Sequence, residues 1–498
     1  MNSITVTLDS RDGKHLYEQI YEYIKQEIKA GKLLYNEKLP STRSLAEYLQ
    51  ISRSTVDLAY EQLAAEGYIE AKPCRGYFVC HKEELYHLTV EVENGAVWQE
   101  EEREGYFVDF STNAVDLQEF PFDTWRRIYR KVFSEQGDRL FLTGAGQGER
   151  KLRVMLSRYL HSSRGVDCEP EQIIIGAGND YLLMLLEKLL NGLDTEGEEK
   201  LIRRVALENP TYRKAGRMFA SFGYQITEVE MDAYGMCPDK LEESQANLAY
   251  VMPSHQFPTG TVMPIGRRME LLRWASESPE RYLIEDDYDS EFRYKGKPIP
   301  ALQSSDGQEK VIYLGTFSKS ISPAIRISYL VLPGRLMQAY HKYCSYLSTT
   351  VQRTEQEVLA EFIGGGYFER HLNRMRKVYR EKHDKMLRLL KPFETAFTIS
   401  GENAGLHLLL TDKRGRTEEE LKASAAKQGI RVYGMREFCM ENMVKSGAGE
   451  MAFVCSSQER GVGKAFFQGE AATILLGYAG LTEQEIEEGL SLLAKIWL

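Results

Sequence analysis

Lys319 closes the run Val311-Ile312-Tyr313-Leu314-Gly315-Thr316-Phe317-Ser318-Lys319, an apolar strand pattern leading into a small polar turn with one lysine. A desolvated amine in such a turn loses its charge readily and can form a Schiff base with a carbonyl. A second apolar run, Tyr282-Leu283-Ile284-Glu285-Asp286-Asp287-Tyr288, ends in carboxylates. A carboxylate at a strand's C-terminal end can pair with a protonated ring nitrogen and keep the ring an electron sink, and Tyr288 can donate to a ring oxygen. A third, Gly176-Ala177-Gly178-Asn179-Asp180, follows the apolar Ile173–Ile175 and opens a helical pattern. Backbone amides at a helix N-terminus suit a phosphate. Ser318 and Arg326 add a hydroxyl and a guanidinium fork. Each segment alone has an ordinary reading as a solvated lysine, an acidic loop or a tight turn. Joined in one chain and in this order, they point to pyridoxal 5'-phosphate (PLP).

Those segments need a scaffold. From Tyr106 onward, short apolar runs (Gln172–Ile175, Leu201–Ala206, Ala249–Met252, Tyr282–Ile284, Val311–Leu314) alternate with helical patterns. That alternation predicts a largely parallel sheet with helices on both faces. The tail, roughly 366–498, mixes helices with strands such as Gly405–Leu410 and predicts a smaller α+β lobe. At 498 residues the chain exceeds one ordinary core. Three parts are expected: a small unit over 1–80, an acidic linker over 81–105 and a large domain over 106–498. The linker has eight Glu against one Lys and one Arg, which favours a solvated, extended segment. Its Trp98 is a candidate for docking onto the large domain.

In the N-terminal unit, Leu16, Ile20, Ile24 and Ile28 stripe one helix over about Lys14–Ala30. Ser41 can cap a second helix and Ser52 a third, from Arg53 to about Glu66, with Val56, Tyr60 and Leu63 at i, i+4, i+7. Tyr68–Ala71 and Gly76–Val79 alternate as a hairpin around Lys72-Pro73-Cys74-Arg75. This order of elements is a winged helix-turn-helix, with polar Arg53, Ser54 and Thr55 at the helix end that meets base edges. Arg43 and Arg75 suit phosphate or groove contacts. A protein-binding three-helix module is the competing reading, since residues 1–80 hold 10 Lys/Arg against 11 Asp/Glu. The overall net charge of −10 confines any DNA contact to a few placed residues.

Nothing else suggests a separate chemistry. No run approaches the roughly 20 apolar residues of a membrane span. The seven cysteines are scattered without CxxC spacing and the nine histidines form no HExxH pattern, so no metal site is expected. Gly461-Val462-Gly463-Lys464 lacks P-loop spacing. A cytoplasmic protein without membrane attachment is expected.

The segment Leu16–Val79, with its LPSTRSLAEYLQISRSTVDLAYEQLAAEGYIE core and RGYFV wing, resembles the winged helix of GntR regulators. That resemblance implies contacts to a double-stranded DNA operator at Arg43, Ser52, Arg53, Thr55, Arg75 and Gly76. Residues 106–498 resemble fold-type I aminotransferases, with further markers in GAGQG (Gly144–Gly148), ENPTY (Glu208–Tyr212) and PSHQFPTG (Pro253–Gly260). Joined by a linker, the two parts resemble MocR/GabR regulators, to which PSHQFPTG, IEDDYDSEF and GTFSKS are close. The resemblance implies Lys319 as the Schiff-base lysine, Asp286 as ring-nitrogen partner and Tyr288 as donor to the ring oxygen. It implies a phosphate site from Gly178, Asn179, Asp180, Ser318 and Arg326, with Tyr212 bordering an effector pocket. It also implies a head-to-tail homodimer.

Two departures bear on the pocket. Phe257 stands where aminotransferases often have asparagine, so that contact is absent or moved to His255 or Gln256. The two arginines by which GABA-sensing members grip a carboxylate fall here on Lys214 and Glu437, with Arg436 adjacent. A point charge and a repelling carboxylate imply a small amino compound other than GABA, one whose extra amine could face Glu437. Three readings follow: a regulator sensing its effector through an external aldimine at Lys319, a working PLP-dependent aminotransferase with an appended DNA-binding domain, or a sensor of PLP itself.

Overall fold

Apolar residues four apart build the N-terminal unit. In the computed structural model the chain divides into Met1–Arg103 and Glu104–Leu498, and the structure describes residues 8, 14–80, 105–194, 203–294, 299–439, 442–445, 451–454 and 471–498. The expected placement of Trp98 lies outside the described residues. Helix α1 (Leu16–Lys29) buries Ile20, Ile24 and Ile28 against α3 (Arg53–Ala65), which presents Val56, Ala59, Tyr60 and Leu63. Between them α2 (Thr42–Leu49) starts at Ser41, whose hydroxyl accepts from Ser44 N at 3.1 Å. Strands β1 (Ile69–Lys72) and β2 (Gly76–Val79) pair antiparallel with Ile69 opposite Val79. The sequence pattern missed a third piece of the wing. Residues 36–39 pair with β2 through Asn36 N to Val79 O at 2.8 Å and Leu39 N to Tyr77 O at 2.9 Å.

In the large unit seven strands lie in the order Ile173–Gly176, Ser328–Val331, Val311–Thr316, Tyr282–Asp287, Leu248–Val251, Arg204–Glu208, Gln225–Val229. All neighbours are parallel except Ser328–Val331, which runs antiparallel to both of its own. Ile284, Ile312 and Leu314 face the leucines of helix Asn179–Asp194. Leu283 and Val311 point the other way, toward Leu271, Trp274 and Ala275 of helix Ile265–Ser276. Helices thus cover both faces, as near-continuous apolar strands require. The lobe has a four-stranded antiparallel sheet, Phe397–Ser400, His407–Asp412, Thr473–Gly477 and Tyr433–Gly434. Leu408, Leu410, Ile474 and Leu476 pack there against Leu490, Leu493 and Trp497 of the last helix.

Strand alternation sorts three consecutive acids. Asp286 falls on the face of Ile284, while Glu285 and Asp287 fall on the opposite one. Glu285 accepts from Leu302 N at 2.7 Å and Gln303 N at 2.9 Å. Asp287 pairs with Arg164 Nε at 2.8 Å, both side chains being buried, and accepts from Tyr313 at 2.6 Å. Removing one partner of a buried pair leaves an uncompensated charge. Arg164→Ala should therefore destabilise the large unit by roughly 3–5 kcal/mol in denaturant unfolding.

Candidate functional site

Lys319 sits just past the strand Val311–Thr316, where Phe317 and Ile321 are buried in the core and fix the turn. Its Nζ donates to Thr112 O at 2.6 Å. Burial pushes the amine down to about 8, against the pull of Asp289. An amine so shifted is in part neutral near physiological pH, the state a nucleophile needs.

Around it lies a cavity of about 440 Å³ whose walls include Asn179, Asp180, Tyr212, Lys214, Asp286, Tyr288, Ser318 and Arg326. Seven of the residues that define the expected cofactor site therefore meet in one place: Asn179, Asp180, Asp286, Tyr288, Ser318, Lys319 and Arg326. The Tyr250 hydroxyl donates to Asp286 Oδ2, while Asp286 Oδ1 is buried without a partner. Burial pushes the Asp286 carboxyl up to about 7, and Tyr250 opposes the shift. A buried carboxyl with one vacant acceptor fits a protonated ring nitrogen.

At the other end, Gly178 has φ +88° and a Cβ there would lie 2.5 Å from Arg326 Nη2. Arg326 itself is left-handed at φ +50°, and helix Asn179–Asp194 begins at this point. Asn179 Oδ1 is also buried without a partner. Guanidinium, helix N-terminus and the Ser318 hydroxyl together make an anion cradle. Asp180 occupies part of it, accepting from Arg326 Nη2 at 3.2 Å and Lys214 Nζ at 2.6 Å. Burial of Asp180 favours the neutral acid, but those cations hold its carboxyl below the usual value. The donor set thus fits PLP at both its ring nitrogen and its phosphate.

The expected effector residues separate. Tyr212 and Lys214 line the cavity, but Lys214 is committed to Asp180. Glu437 is ion-paired to Lys422, accepts from Gly434 N at 3.0 Å, and lines a different cavity with Tyr106 and Tyr433. Arg436 is exposed and absent from the walls of the Lys319 cavity. Phe257 takes a wall position instead. Gln256 is consumed locally, donating to Pro210 O at 2.8 Å and accepting from Thr259 N at 3.0 Å. His255 lies beside Tyr288. Sequence reasoning missed Thr112, Asn113, Tyr250, Met252 and Pro323. Only Tyr250, a hydroxyl inside the apolar strand Leu248–Val251, carried a local signal.

On the N-terminal unit, Ser52 Oγ accepts from Thr55 N at 3.3 Å and lies 2.7 Å from Thr55 Oγ1. That cap leaves Arg53 exposed on the first turn of α3, loosely paired with Asp57 at 3.5 Å. Arg43 is exposed on the first turn of α2, paired with Glu47 at 3.0 Å. Arg75 and Gly76 are exposed at the wing, and Gly76 has φ +99°. Exposed pairs of this kind cost little to break, so these guanidiniums can exchange a carboxylate for a phosphate.

A doubly covered, mainly parallel sheet with an antiparallel-sheeted lobe and this cavity define a fold-type I aminotransferase-like domain, and the other unit is a winged helix-turn-helix. Residues 16–79 match the family described as bacterial regulatory proteins, gntR family, and residues 107–449 match aminotransferase class I and II. The HTH-type transcriptional regulator YdeL of Bacillus subtilis is 39% identical over 97% of this chain and 96% of its own. The HTH-type pyridoxine biosynthesis transcriptional regulator PdxR of Corynebacterium glutamicum is 30% identical over 87% of this chain and 91% of its own. Among solved structures, a kynurenine aminotransferase of Pyrococcus horikoshii aligns with TM-score 0.63 at 25% identity, over 78% of this chain and 90% of that one. The chain belongs to the MocR/PdxR-type HTH transcriptional regulators, in which a gntR-family reader is fused to a PLP-binding aminotransferase class I and II domain.

Two outcomes are expected. Gly178→Ala pushes a methyl into the Arg326 guanidinium at a backbone angle alanine resists, so PLP affinity in a fluorescence titration should fall by at least about tenfold, or 1.4 kcal/mol. The second concerns pH. The folded pKa of Asp286 is raised to about 7, so the native state holds a proton that the unfolded chain releases near 4. Stability of the cofactor-free protein should fall as pH rises from about 4 to 7, and Asp286→Asn should lessen that fall in thermal melts.

Proposed function

We propose that this chain is a cytoplasmic transcription regulator that binds an operator through its winged helix and senses a small amino compound at Lys319. The observation that supports this most is the partly buried Lys319 amine in a cavity that also holds the vacant Asp286 Oδ1 and the Arg326 cradle. When bound, PLP supplies an aldehyde carbon for which a lysine amine and an effector amine compete. Asp286 holds the ring nitrogen and Tyr288 donates to the ring oxygen. Gly178, Asn179, the backbone amide of Asp180, Ser318 and Arg326 hold the phosphate, and Tyr212 borders the effector.

Because Lys214 is bound to Asp180 and Glu437 to Lys422, neither serves the effector. Its tail meets Tyr212, Phe257, Met252 and Asn113, a wall of two rings, a thioether and an amide. A second amine facing Glu437 has no support in this geometry. Arg43, Ser52, Arg53, Thr55, Arg75 and Gly76 make the DNA contacts. Exposed Phe122, Phe141, Leu142 and Tyr346 suit the interface of a head-to-tail homodimer. Among the described residues no helix is long and apolar enough to cross a membrane. A working PLP-dependent aminotransferase with an appended DNA-binding domain is the second reading, favoured by Lys319 and Asp286 lining one cavity.

The test combines absorbance with DNA binding. PLP-loaded wild type should show a visible band that Lys319→Ala loses or shifts. In a panel of amines, one compound should move the band without turnover and change affinity for a duplex selected from a random library by about tenfold. GABA should leave the band unmoved. Arg53→Ala should weaken the duplex by roughly 1–3 kcal/mol and relax one base position. Rapid turnover with several donors and no DNA binding would establish the aminotransferase instead.

A further inference from the structure

The Tyr288 hydroxyl has a neighbour that is neither cofactor donor nor part of the Lys319 cavity wall. His255 and Asp289 are both buried, with His255 Nδ1 3.0 Å from each carboxylate oxygen of Asp289. A carboxylate only accepts, so Nδ1 carries the proton in that contact. The Tyr288 oxygen lies 2.9 Å from the same Nδ1. The imidazole cannot swing away easily, because it is packed directly on Gly405 (φ +83°), where any Cβ would overlap the ring. The Gly405 carbonyl is held in turn by the hydroxyls of Tyr294 at 2.9 Å and Tyr478 at 2.8 Å. Phe257 packs edge-on to the Tyr288 ring at 6.0 Å between centroids.

We propose that His255, held by Asp289, is a positioning residue that turns the Tyr288 hydroxyl proton toward the cofactor ring. The phenol oxygen shares the Nδ1 proton as an acceptor, which leaves its own proton to be donated into the cavity. Asp289 is itself within hydrogen-bonding reach of that hydroxyl. Without the imidazole, the Tyr288 hydroxyl becomes the donor available to the Asp289 carboxylate, and its proton turns away from the cavity. The charged groups facing this unit are Asp286, Asp287 and Asp289 around Tyr288, Lys319 and Glu291 near Asp289, Arg164 and Arg293 across a small cavity from His255 and Asp289, and His407 beside the His255 ring. His407 is kept neutral by burial, which pushes it down to about 4, and by the neighbouring His255. Only Asp289 is in direct contact with His255 Nδ1 as an anion.

This inference rests on the reading that PLP is held at Lys319 with Tyr288 beside its ring oxygen. A donor to that oxygen stabilises its anion and so favours release of the proton shared with the Lys319 nitrogen; losing the donor raises the pH at which that proton leaves. The full-length PLP-loaded wild type, His255→Leu, His255→Gln, Asp289→Asn, Tyr288→Phe and His255→Leu/Tyr288→Phe are titrated by visible absorption. His255→Leu and Tyr288→Phe should each raise the midpoint by about one pH unit, a tenfold change. Asp289→Asn frees the imidazole but also removes an anion that raises the Lys319 nitrogen, so its rise should be smaller than that of His255→Leu. His255→Gln, which retains an N–H donor, should fall between wild type and His255→Leu. The double variant should go no further than Tyr288→Phe alone, as coupled residues require.

A role in packing alone would lower the melting temperature and leave the midpoint where it was. An unmoved midpoint in folded His255→Leu, or shifts that add in the double variant, overturns the proposal. Should His255→Leu not fold, an unmoved midpoint in folded His255→Gln overturns it equally. A wild type with no visible band removes the cofactor reading and this proposal together, whereas a band with an immobile midpoint removes this proposal alone.

Discussion

A carboxylate taken out of water must be matched by partners, and the strand Tyr282–Asp287 buries three in a row. Glu285 is matched by two backbone amides and Asp287 by Arg164 and Tyr313. Asp286 is matched only in part, by Tyr250, and keeps one oxygen without a partner. The two satisfied acids hold the sheet to the helices behind it. The unsatisfied one faces the cavity, so the requirement that stabilises the sheet on one face creates a ligand site on the other.

The same economy governs the phosphate end. Arg326 and Lys214 converge on Asp180, which keeps two cations satisfied near a helix N-terminus. An anion entering this cradle competes with a carboxylate already there, and Asp180 is free to remain with Lys214 while Arg326 turns to the newcomer. Neither cation is then left over for a second carboxylate in the cavity. The walls that remain are mainly aromatic and apolar.

Regulation needs an effector that binds two states of the protein with different affinity. Residues 107–109 are tied to the lobe rather than to the seven-stranded sheet. Phe107 N donates to Gly429 O at 2.7 Å, Val108–Asp109 pairs with Ile430–Arg431, and Tyr433 donates to Asp109 at 3.0 Å. The lobe also meets the cavity side of the molecule where His407 Nε2 lies 2.8 Å from Pro258 O and Phe438 stacks edge-on against Phe257 at 5.0 Å. The lobe is therefore in contact with both the wall of the Lys319 cavity and residues 107–109.

Local pattern was enough for much of this. The isoleucines of α1, the serine caps of α2 and α3, the apolar strands and the segments bearing Lys319, Asp286 and Gly178 were all legible, because periodicity, capping and strand-end chemistry act over a few residues. The effector residues counted from motifs were not: Glu437 lies three residues from a strand end and is captured by Lys422, fifteen positions earlier in the chain. Residues 36–39 of the wing, Thr112 against Lys319, Tyr250 against Asp286 and His255 against Asp289 were equally hidden, since each contact joins segments distant in sequence. What the sequence alone determined is which residues can do chemistry and on which face of a strand each must fall. Which of them remain available was decided only by the tertiary structure, because a buried polar group takes the nearest partner in space and that partner is set by packing.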